Sequence, residues 1–451
     1  MDNFPRKAPS ASAAGRLGRI GIVLPALSLL LLAGHFLRFG NTALCLSLAA
    51  LAVLAATRRA WLRIALMAVL AAGLLVWAGT WVDFLTFRMA SGRPWVRMSM
   101  IMAAIAGLNS LSLVWLARAG GRSFFNRSPE QATPEGGAFI LTAVLLGITR
   151  GTVRLPILLL DRFYPGWGWL EILALAVYAA WVAGRMSDPA RSSTARSRIW
   201  GLFSLVFFLQ LVLGLTGIRE LLMTGALHLP VPAVIIGGPL YRGGGYFMPI
   251  LFAATLLLVG PAWCSHLCYI GAWDDLLSRS RKRPGALPAW ARHGRWFTLA
   301  AVAAAALLMR LLGVSAGTAV ALGGAFGIVG VGVMATASRR MGLMAHCTAY
   351  CPLGAVSNLL GKISPWRIRI HPDCSRCGAC SRACRYGALD DSDIAAFRPG
   401  FSCTLCGDCI GSCRQTSIAY RFPGLSGESS RRAFLALAVS LHAVFLGAAR
   451  M

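Results

Sequence analysis

Two runs of cysteine in the C-terminal quarter of the sequence share the spacing Cys-x-x-Cys-x-x-Cys-x-x-x-Cys. The first run consists of Cys374, Cys377, Cys380 and Cys384, and the second of Cys403, Cys406, Cys409 and Cys413. This spacing is typical of proteins that hold cubane [4Fe–4S] clusters, because three closely spaced thiolates can surround one cube on a short loop. The sequence therefore predicts one-electron transfer through two such clusters.

The fourth cysteine of each run is expected to bind the cluster of the other run, as in ferredoxins with two clusters. Cluster 1 would then be held by Cys374, Cys377, Cys380 and Cys413, and cluster 2 by Cys403, Cys406, Cys409 and Cys384. Arg385 and Arg414 stand where a proline usually follows the fourth cysteine, which alters the turn and removes no ligand. The competing interpretation is a pair of zinc knuckles, but zinc sites favour two separated Cys-x-x-Cys pairs.

A second cysteine repeat lies upstream of these runs. It consists of Cys264-x-x-x-Cys268 and Cys347-x-x-x-Cys351, each followed after two residues by Gly-Ala. If each pair lies on a helix, its two thiols share one face, and two pairs side by side supply four thiolates. We expect a third iron–sulfur cluster or another redox site here. A zinc site, a redox-active thiol set and simple packing are the alternatives, and His266 or His346 could replace a ligand.

The composition places these cysteines in a membrane protein. Hydrophobic residues make up 57% of the chain and charged residues only 13%, about half the charged share of a soluble domain. The net charge of +28 falls in short clusters between long apolar runs, a distribution typical of bilayer-spanning proteins and not of nucleic-acid binding. The predicted spans are residues 20–37, 42–57, 62–82, 98–117, 137–157, 168–184, 199–217, 246–263, 296–313 and 315–335, with an eleventh at 433–449.

These runs predict a mostly α-helical fold: a polytopic transmembrane bundle of ten or eleven spans with a small α+β domain like that of two-cluster bacterial ferredoxins. Four segments are expected. They are a six-helix transmembrane region (1–198), a transmembrane region with both Cys-x-x-x-Cys pairs (199–362), the two-cluster domain (363–430) and a C-terminal membrane helix or anchor (431–451).

The basic residues predict the orientation of the chain. Arg6, Lys7, Arg16 and Arg19 precede the first span, and Lys and Arg mark the cytoplasmic side of membrane proteins. Ten spans then return the chain to the cytoplasm before the two-cluster domain. We therefore expect a multi-pass protein of the bacterial inner membrane with its ferredoxin domain in the cytoplasm.

Paired Cys-x-x-x-Cys motifs at membrane helix ends, followed by a double ferredoxin run, resemble the NapH/NosR/CcoG-type membrane ferredoxins over residues 199–420. The segment from Leu227 to Pro239 is similar as well, and Cys351 is followed by the family's proline, Pro352, whereas Cys268 is followed by Tyr269. The resemblance implies electron supply to periplasmic nitrate or nitrous-oxide reductases, or a part in copper-oxidase assembly.

The sequence thus predicts an integral membrane iron–sulfur protein that relays electrons. Expected partners are membrane lipid, a soluble low-potential electron donor, and quinone or a membrane or periplasmic reductase, but not nucleic acid. No general acid, base or nucleophile is recognisable, so a non-catalytic electron-transfer subunit is favoured over an enzyme. The alternative is a membrane protein that senses redox state in regulation or takes part in metal-cofactor maturation.

Overall fold

The structure is a computed structural model that describes residues 21–222 and 229–448. Helices dominate this part of the chain, as the sequence predicts. The chain divides into two compact units, Met1–Gly184 and Arg185–Met451, and each is described by itself. The division into four segments with boundaries after 198, 362 and 430 stays a prediction.

The first unit is a bundle of helices. Its members are Val23–Arg38, Thr42–Leu54, Ala60–Ala90, Val96–Ala117, Ala119–Phe124, Ala132–Thr152, Leu159–Phe163 and the greater part of Gly168–Ser187, with short 3-10 turns at Ala55–Thr57 and Pro129–Gln131. Leu62, Leu66 and Leu70 are fully buried, and their spacing of four residues places them on one face of the helix Ala60–Ala90. This face supplies the centre of the apolar core.

Nine helices in the described residues are long and apolar enough to cross a membrane. They are Ala60–Ala90, Val96–Ala117, Pro129–Thr152, Gly168–Ser187, Pro189–Leu215, Phe247–His266, Ala289–Leu311, Ala316–Met341 and Gly427–Ala448. Each coincides with one predicted span. The first two predicted spans correspond to the shorter helices Val23–Arg38 and Thr42–Thr57. Sixteen residues reach only about 24 Å along a helix, short of the about 30 Å of a hydrocarbon core.

Eight of the nine long helices therefore precede the ferredoxin domain, against ten predicted spans. The two counts differ by an even number, so the predicted orientation of the domain is the same for both. The basic residues Arg6, Lys7, Arg16 and Arg19, on which the orientation of the N-terminus depends, lie outside the described residues, as do Leu227 and His228.

The second unit holds all twelve cysteines of the four motifs. Its helices are Pro189–Leu215, Val234–Arg242, Phe247–Val259, Trp263–His266, Gly271–Ser278, Gly294–Leu311, Ala316–Val333, Arg339–Met341, Pro352–Leu360, Ala379–Ala383, Asp391–Ala395, Asp408–Ser412 and Gly427–Ala448. Short 3-10 turns at Arg219–Leu221, Gly260–Ala262 and Ala289–His293 and π-helical turns at Met334–Ser338 and His346–Tyr350 connect or extend them.

The ferredoxin domain is built on one pair of antiparallel strands, β1 (Arg367–Ile370) and β2 (Ile418–Arg421). Alternate residues of the strands are buried, as expected of a sheet with one face in the core. On this face the ring of Tyr420 stacks on Phe434 at 4.5 Å. Phe434 belongs to the helix Gly427–Ala448, so this last long helix packs directly against the ferredoxin domain.

Candidate iron–sulfur sites

The four cysteines predicted for cluster 1 line a single cavity. Cys374, Cys377, Cys380 and Cys413 surround it together with Arg376, Arg382 and Arg414, and no carboxylate belongs to its wall. Cys377 is exposed, Cys374 and Cys413 are half-buried and Cys380 is buried. A cluster in this position would therefore lie at the surface of the domain, within a basic rim.

The four cysteines predicted for cluster 2 line another, enclosed cavity. Its wall contains Cys384, Cys403, Cys406 and Cys409. Apolar and aromatic side chains that include Ile368, Tyr386 and Leu389 complete it, together with the polar residues Thr404 and Asp408. Cys384 comes from the first run and the other three cysteines from the second, so the structure brings the thiols together in the crossed grouping. Ligation itself stays a prediction.

The two cysteine runs share the same backbone conformation as well as the same spacing. Gly378 and Gly407 have φ angles of +68° and +80°, and each precedes the short helix that carries the third cysteine of its run. Arg376 and Leu405, just before the second cysteine, also adopt left-handed backbone, with φ of 54° and 57°. Left-handed residues turn the chain sharply, so each run curls around its cavity.

The two Cys-x-x-x-Cys pairs meet around a third cavity, although neither pair lies on regular α-helix. Cys264, Cys268, Cys347 and Cys351 all line it. Cys264 belongs to the four-residue helix Trp263–His266, after which Cys268 follows in a loop. The other pair spans the π-helical turn His346–Tyr350, after which Cys351 is extended. The expectation that each pair shares a helix face is therefore wrong, and the pairs converge because two chain turns meet.

The fit of iron–sulfur clusters to these sites depends on the chemistry of the side chains that line them. Among the described residues, no group of three or more His, Cys, Asp or Glu side chains is arranged to hold a single metal ion. The cavity at Cys384 and the one between the Cys-x-x-x-Cys pairs have the same small volume, about 20 Å³ each, and each is lined by four cysteines. Four thiolates are the ligand set of one cubane, so the two sites favour the same kind of occupant.

The electrostatics of the enclosed cavity fit a cationic occupant. Burial raises the pKa of Cys384, Cys403 and Cys406 to about 12, because a thiolate loses its hydration inside the domain. Cluster ligands must be thiolates. The positive charge of bound iron would stabilise these thiolates, as coordination of a metal does for buried cysteine.

Arg385, which replaces the expected proline, joins the ferredoxin domain to the chain around the Cys-x-x-x-Cys pairs. Its guanidinium donates hydrogen bonds to the carbonyl oxygens of Ser278 at 2.7 Å and Gly342 at 2.9 Å, and its own carbonyl accepts one from the amide of Met344 at 2.9 Å. A proline could make none of the donor contacts. Arg414, at the equivalent place after the second run, is exposed.

A buried charge network lies beside the second cavity. Arg196 is 1% exposed, and its guanidinium donates hydrogen bonds to Asp408 at 2.8 Å, Asp275 at 3.2 Å and the carbonyl of Ser265 at 3.1 Å. Burial opposes the ionisation of Asp275, but Arg196 and Arg279 outweigh it and lower the pKa of this carboxyl to about 2. Asp408 stands between Cys406 and Cys409, so the network ties the segment of the predicted cluster 2 ligands to the helix Pro189–Leu215.

Sequence reasoning did not single out Arg196. It belongs to a basic cluster with Arg191 and Arg198 at the start of a predicted span, where arginines normally reach toward solvent. The other two are exposed. No local signal distinguishes the buried arginine from its neighbours, because its acidic partner Asp408 is 212 residues away in sequence.

A small apolar group separates the second cavity from the third. Trp200, Ala272, Met344 and Tyr386 form it, and the side chains of Cys347, Cys384 and Cys406 pack against it. The indole nitrogen of Trp200, which is fully buried, donates a hydrogen bond to the carbonyl of Cys268 at 2.7 Å. Cysteines of both sites thus contact one continuous set of side chains.

An apolar cavity adjoins the Cys-x-x-x-Cys site on its other side. Its volume is about 600 Å³, and its wall includes Phe208, Phe326, Gly332, His346 and Cys351. Phe326 and Gly332 belong to the long apolar helix Ala316–Met341. Nε2 of His346 has no hydrogen-bond partner among the described residues although the side chain is 6% exposed. The cavity therefore combines apolar walls with one buried polar group.

Comparisons with known proteins agree with this geometry. Residues 242–286 and 322–371 match the family described as 4Fe-4S binding domain, and these segments contain the two Cys-x-x-x-Cys pairs. The chain is 25% identical over 277 residues to the electron transport protein YccM of Escherichia coli (strain K12), across 54% of this chain and 71% of that protein. No solved structure matches the chain.

The family match supports iron–sulfur cluster binding. Together with the similarity to YccM and the long apolar helices, it supports a membrane ferredoxin-like family and an iron–sulfur electron-transfer protein. The helices also indicate a multi-pass membrane protein.

Proposed function

We propose that this protein relays single electrons from a soluble cytoplasmic donor to a quinone in the membrane, as a NapH-like membrane ferredoxin. Cys374, Cys377, Cys380 and Cys413 would hold one [4Fe–4S] cluster, Cys384, Cys403, Cys406 and Cys409 a second, and Cys264, Cys268, Cys347 and Cys351 a third. A [4Fe–4S] cluster supplies a centre that takes up and gives back one electron. The observation that carries the proposal is the order of the three cavities, from the surface of the domain to the apolar helices.

The first cavity, at the surface of the ferredoxin domain, favours an electron donor protein with an acidic surface. Cys377 is exposed, and Arg376, Arg382 and Arg414 line the same cavity. Opposite charges on two surfaces speed their encounter and orient them. An acidic carrier would therefore bring its own redox centre close to the first site.

The apolar cavity beside Cys351 favours quinone as the acceptor. A quinone ring needs an apolar pocket with few polar groups, and His346 can donate a hydrogen bond from Nε2 to a quinone carbonyl. Reduction of one quinone to quinol consumes two electrons, released by the donor one at a time, and two protons from water. The wall of this cavity includes Cys351, so electrons would leave the third site directly into it.

A cavity-filling variant tests the acceptor. Gly332 lies in the cavity wall, and a Cβ added there meets no atom within 4 Å, so Gly332→Leu should fill the cavity without disturbing the helix. We expect dithionite-reduced Gly332→Leu protein to be reoxidised by a short-chain quinone at least about tenfold more slowly than the parent, with unchanged iron content. Gly107→Leu, on the helix Val96–Ala117 and also without a neighbour within 4 Å, is the matched control. Equal rates for Gly332→Leu and the parent would exclude quinone at this cavity.

We also propose that the ferredoxin domain faces the cytoplasm. Clusters of arginine occur at alternate helix ends, among them Arg279, Arg281 and Arg283, and cytoplasmic loops are enriched in such residues. Reporter fusions after Arg283 and after Arg421 should both show cytoplasmic enzyme activity, and a fusion within residues 218–245 should show periplasmic activity. A periplasmic signal after Arg421 would reverse the side from which electrons enter.

A further inference from the structure

Tyr386 has a buried hydroxyl group without a partner at the boundary between two cysteine sites. The side chain is 3% exposed, and its oxygen has no hydrogen-bond partner among the described residues. A buried tyrosine hydroxyl normally finds a partner, and leaving such a group unsatisfied destabilises a protein by about 1–3 kcal/mol. The hydroxyl therefore indicates an acceptor that belongs to the complete protein.

The surroundings of the ring restrict where that acceptor lies. Tyr386 forms part of the wall of the second cavity. It also packs with Met344 and Ala272, which flank the other site: Met344 precedes Cys347 by three residues, and Ala272 follows Gly271 in the wall of the third cavity. The tyrosine thus lies in the wall of the enclosed ferredoxin site, and the apolar group to which it belongs also contacts Cys347 of the Cys-x-x-x-Cys site.

We propose that the Tyr386 hydroxyl donates a hydrogen bond to a sulfur atom of the iron–sulfur group at the Cys-x-x-x-Cys site, and that it thereby makes this group easier to reduce. The role rests on the proposed function, since it requires a cluster between the two cysteine pairs. Hydrogen bonds to cluster sulfurs are one of the means by which proteins set reduction potentials. A donor that stabilises the more negative, reduced form raises the potential.

The position of Tyr386 also favours electron transfer, because its ring is part of the apolar group against which Cys384, Cys406 and Cys347 pack.

The experiment is a redox titration of the full-length protein, purified anaerobically, with each cluster followed by low-temperature electron paramagnetic resonance. In Tyr386→Phe the signal assigned to the Cys-x-x-x-Cys site should move to a more negative midpoint potential. At the potential where half of the parent's site is reduced, the ratio of reduced to oxidised site should fall roughly fivefold, the loss of one hydrogen bond. Iron content and the other two signals should not change.

Tyr420→Phe is the matched control. Tyr420 is buried to the same extent in the same domain, but its hydroxyl already donates to the carbonyl of Leu405 at 2.7 Å. Removing that hydroxyl should leave the potential of the Cys-x-x-x-Cys site unchanged.

The possible results separate this role from the proposed function. One result is a third signal in the parent whose midpoint potential is the same in Tyr386→Phe, and another is a change in the potential of the second site only. In either case the role of Tyr386 is wrong while the relay stands. If the parent shows no third signal and binds iron for two clusters only, the third site and the role of Tyr386 are both wrong.

Discussion

The two cysteine runs of the ferredoxin domain have the same spacing and the same local backbone, yet their surroundings are opposite. The cavity of the first run is open, with Cys377 exposed and three arginines in its wall. The cavity of the second run is lined mainly by apolar and aromatic side chains, with Thr404 and Asp408 as its other polar residues. Three of its four cysteines have pKa values raised to about 12 by burial. The same motif can therefore form one site at the surface of the domain and another in its interior.

Equivalent positions in the two runs explain this difference. Arg376 of the first run corresponds to Leu405 of the second, and Ala379 to Asp408. Leu405 is 4% exposed, and Asp408 contacts the buried Arg196, whereas Arg376 is exposed. The ligand positions are retained, and the residues between them decide whether a cluster would face solvent or the membrane helices.

The largest effect is expected from the loss of one cysteine that belongs to the first run but lines the cavity of the second. Cys384→Ser should abolish the spectroscopic signal of the enclosed site, although Cys384 belongs to the first run, because its side chain lines the second cavity. Electron delivery to the membrane should stop. Iron counting and electron paramagnetic resonance of the anaerobic variant measure the loss of the enclosed site, and the rate of reoxidation by a short-chain quinone measures electron delivery. Loss of the signal of the exposed site instead would show that the ligation is not crossed.

The next largest effect is expected from the loss of the buried ion pair between Arg196 and Asp408. Arg196→Met removes the cation shared by Asp408 and Asp275, and breaking a buried ion pair in this way costs about 3–5 kcal/mol. We expect the enclosed cluster to be lost or poorly occupied, whereas the exposed cluster remains reducible by a soluble donor. Thermal unfolding and reduction kinetics check this outcome.

The matched control for Arg196 is Arg191→Met on the same helix. Its side chain is 72% exposed and pairs with Asp188, 42% exposed, at 3.4 Å, and exposed pairs of this kind contribute at most about 1 kcal/mol. If both variants lose the same stability, the buried network does not hold the enclosed site.

A smaller effect is expected at the open site. Replacing Arg376 and Arg414 by Glu reverses two charges of its rim, which should slow reduction by an acidic electron carrier about tenfold at low salt and much less at high salt. Reduction by dithionite should stay close to the parent rate. Replacing Arg369 and Arg421 by Glu changes the net charge equally at exposed arginines of β1 and β2 outside the cavity wall. An equal slowing in that control would argue against docking at the rim.

The smallest effect is expected outside all four motifs. Cys45 packs half-buried against the core of the first unit, where it behaves as a small apolar side chain. Cys45→Ala should leave iron content and all cluster signals unchanged and alter stability by less than about 1 kcal/mol. A loss of iron in this variant would assign a thirteenth cysteine to the relay.

Much of the architecture could be predicted because it depends on local patterns. Apolar runs located each of the long helices, but the runs at 20–37 and 42–57 correspond to the shorter helices Val23–Arg38 and Thr42–Thr57, since hydropathy alone does not fix the length of a helix. The helical arrangement expected of the Cys-x-x-x-Cys pairs was wrong. A four-residue spacing fits a helix face, but the chain turns at Cys268 and at Cys351 instead.

By itself, the sequence determined which cysteines are available, how each run curls and where the chain is apolar enough for a membrane. These properties depend on neighbours within a few residues, through ligand spacing, left-handed turns and helix periodicity. Only the tertiary structure decided that Arg196 is buried against Asp408, that Arg385 replaces a proline as a docking residue, and that Tyr386 lies between two cysteine sites. The physical reason is that these contacts join segments far apart in sequence, and they form only when helices and domain pack together.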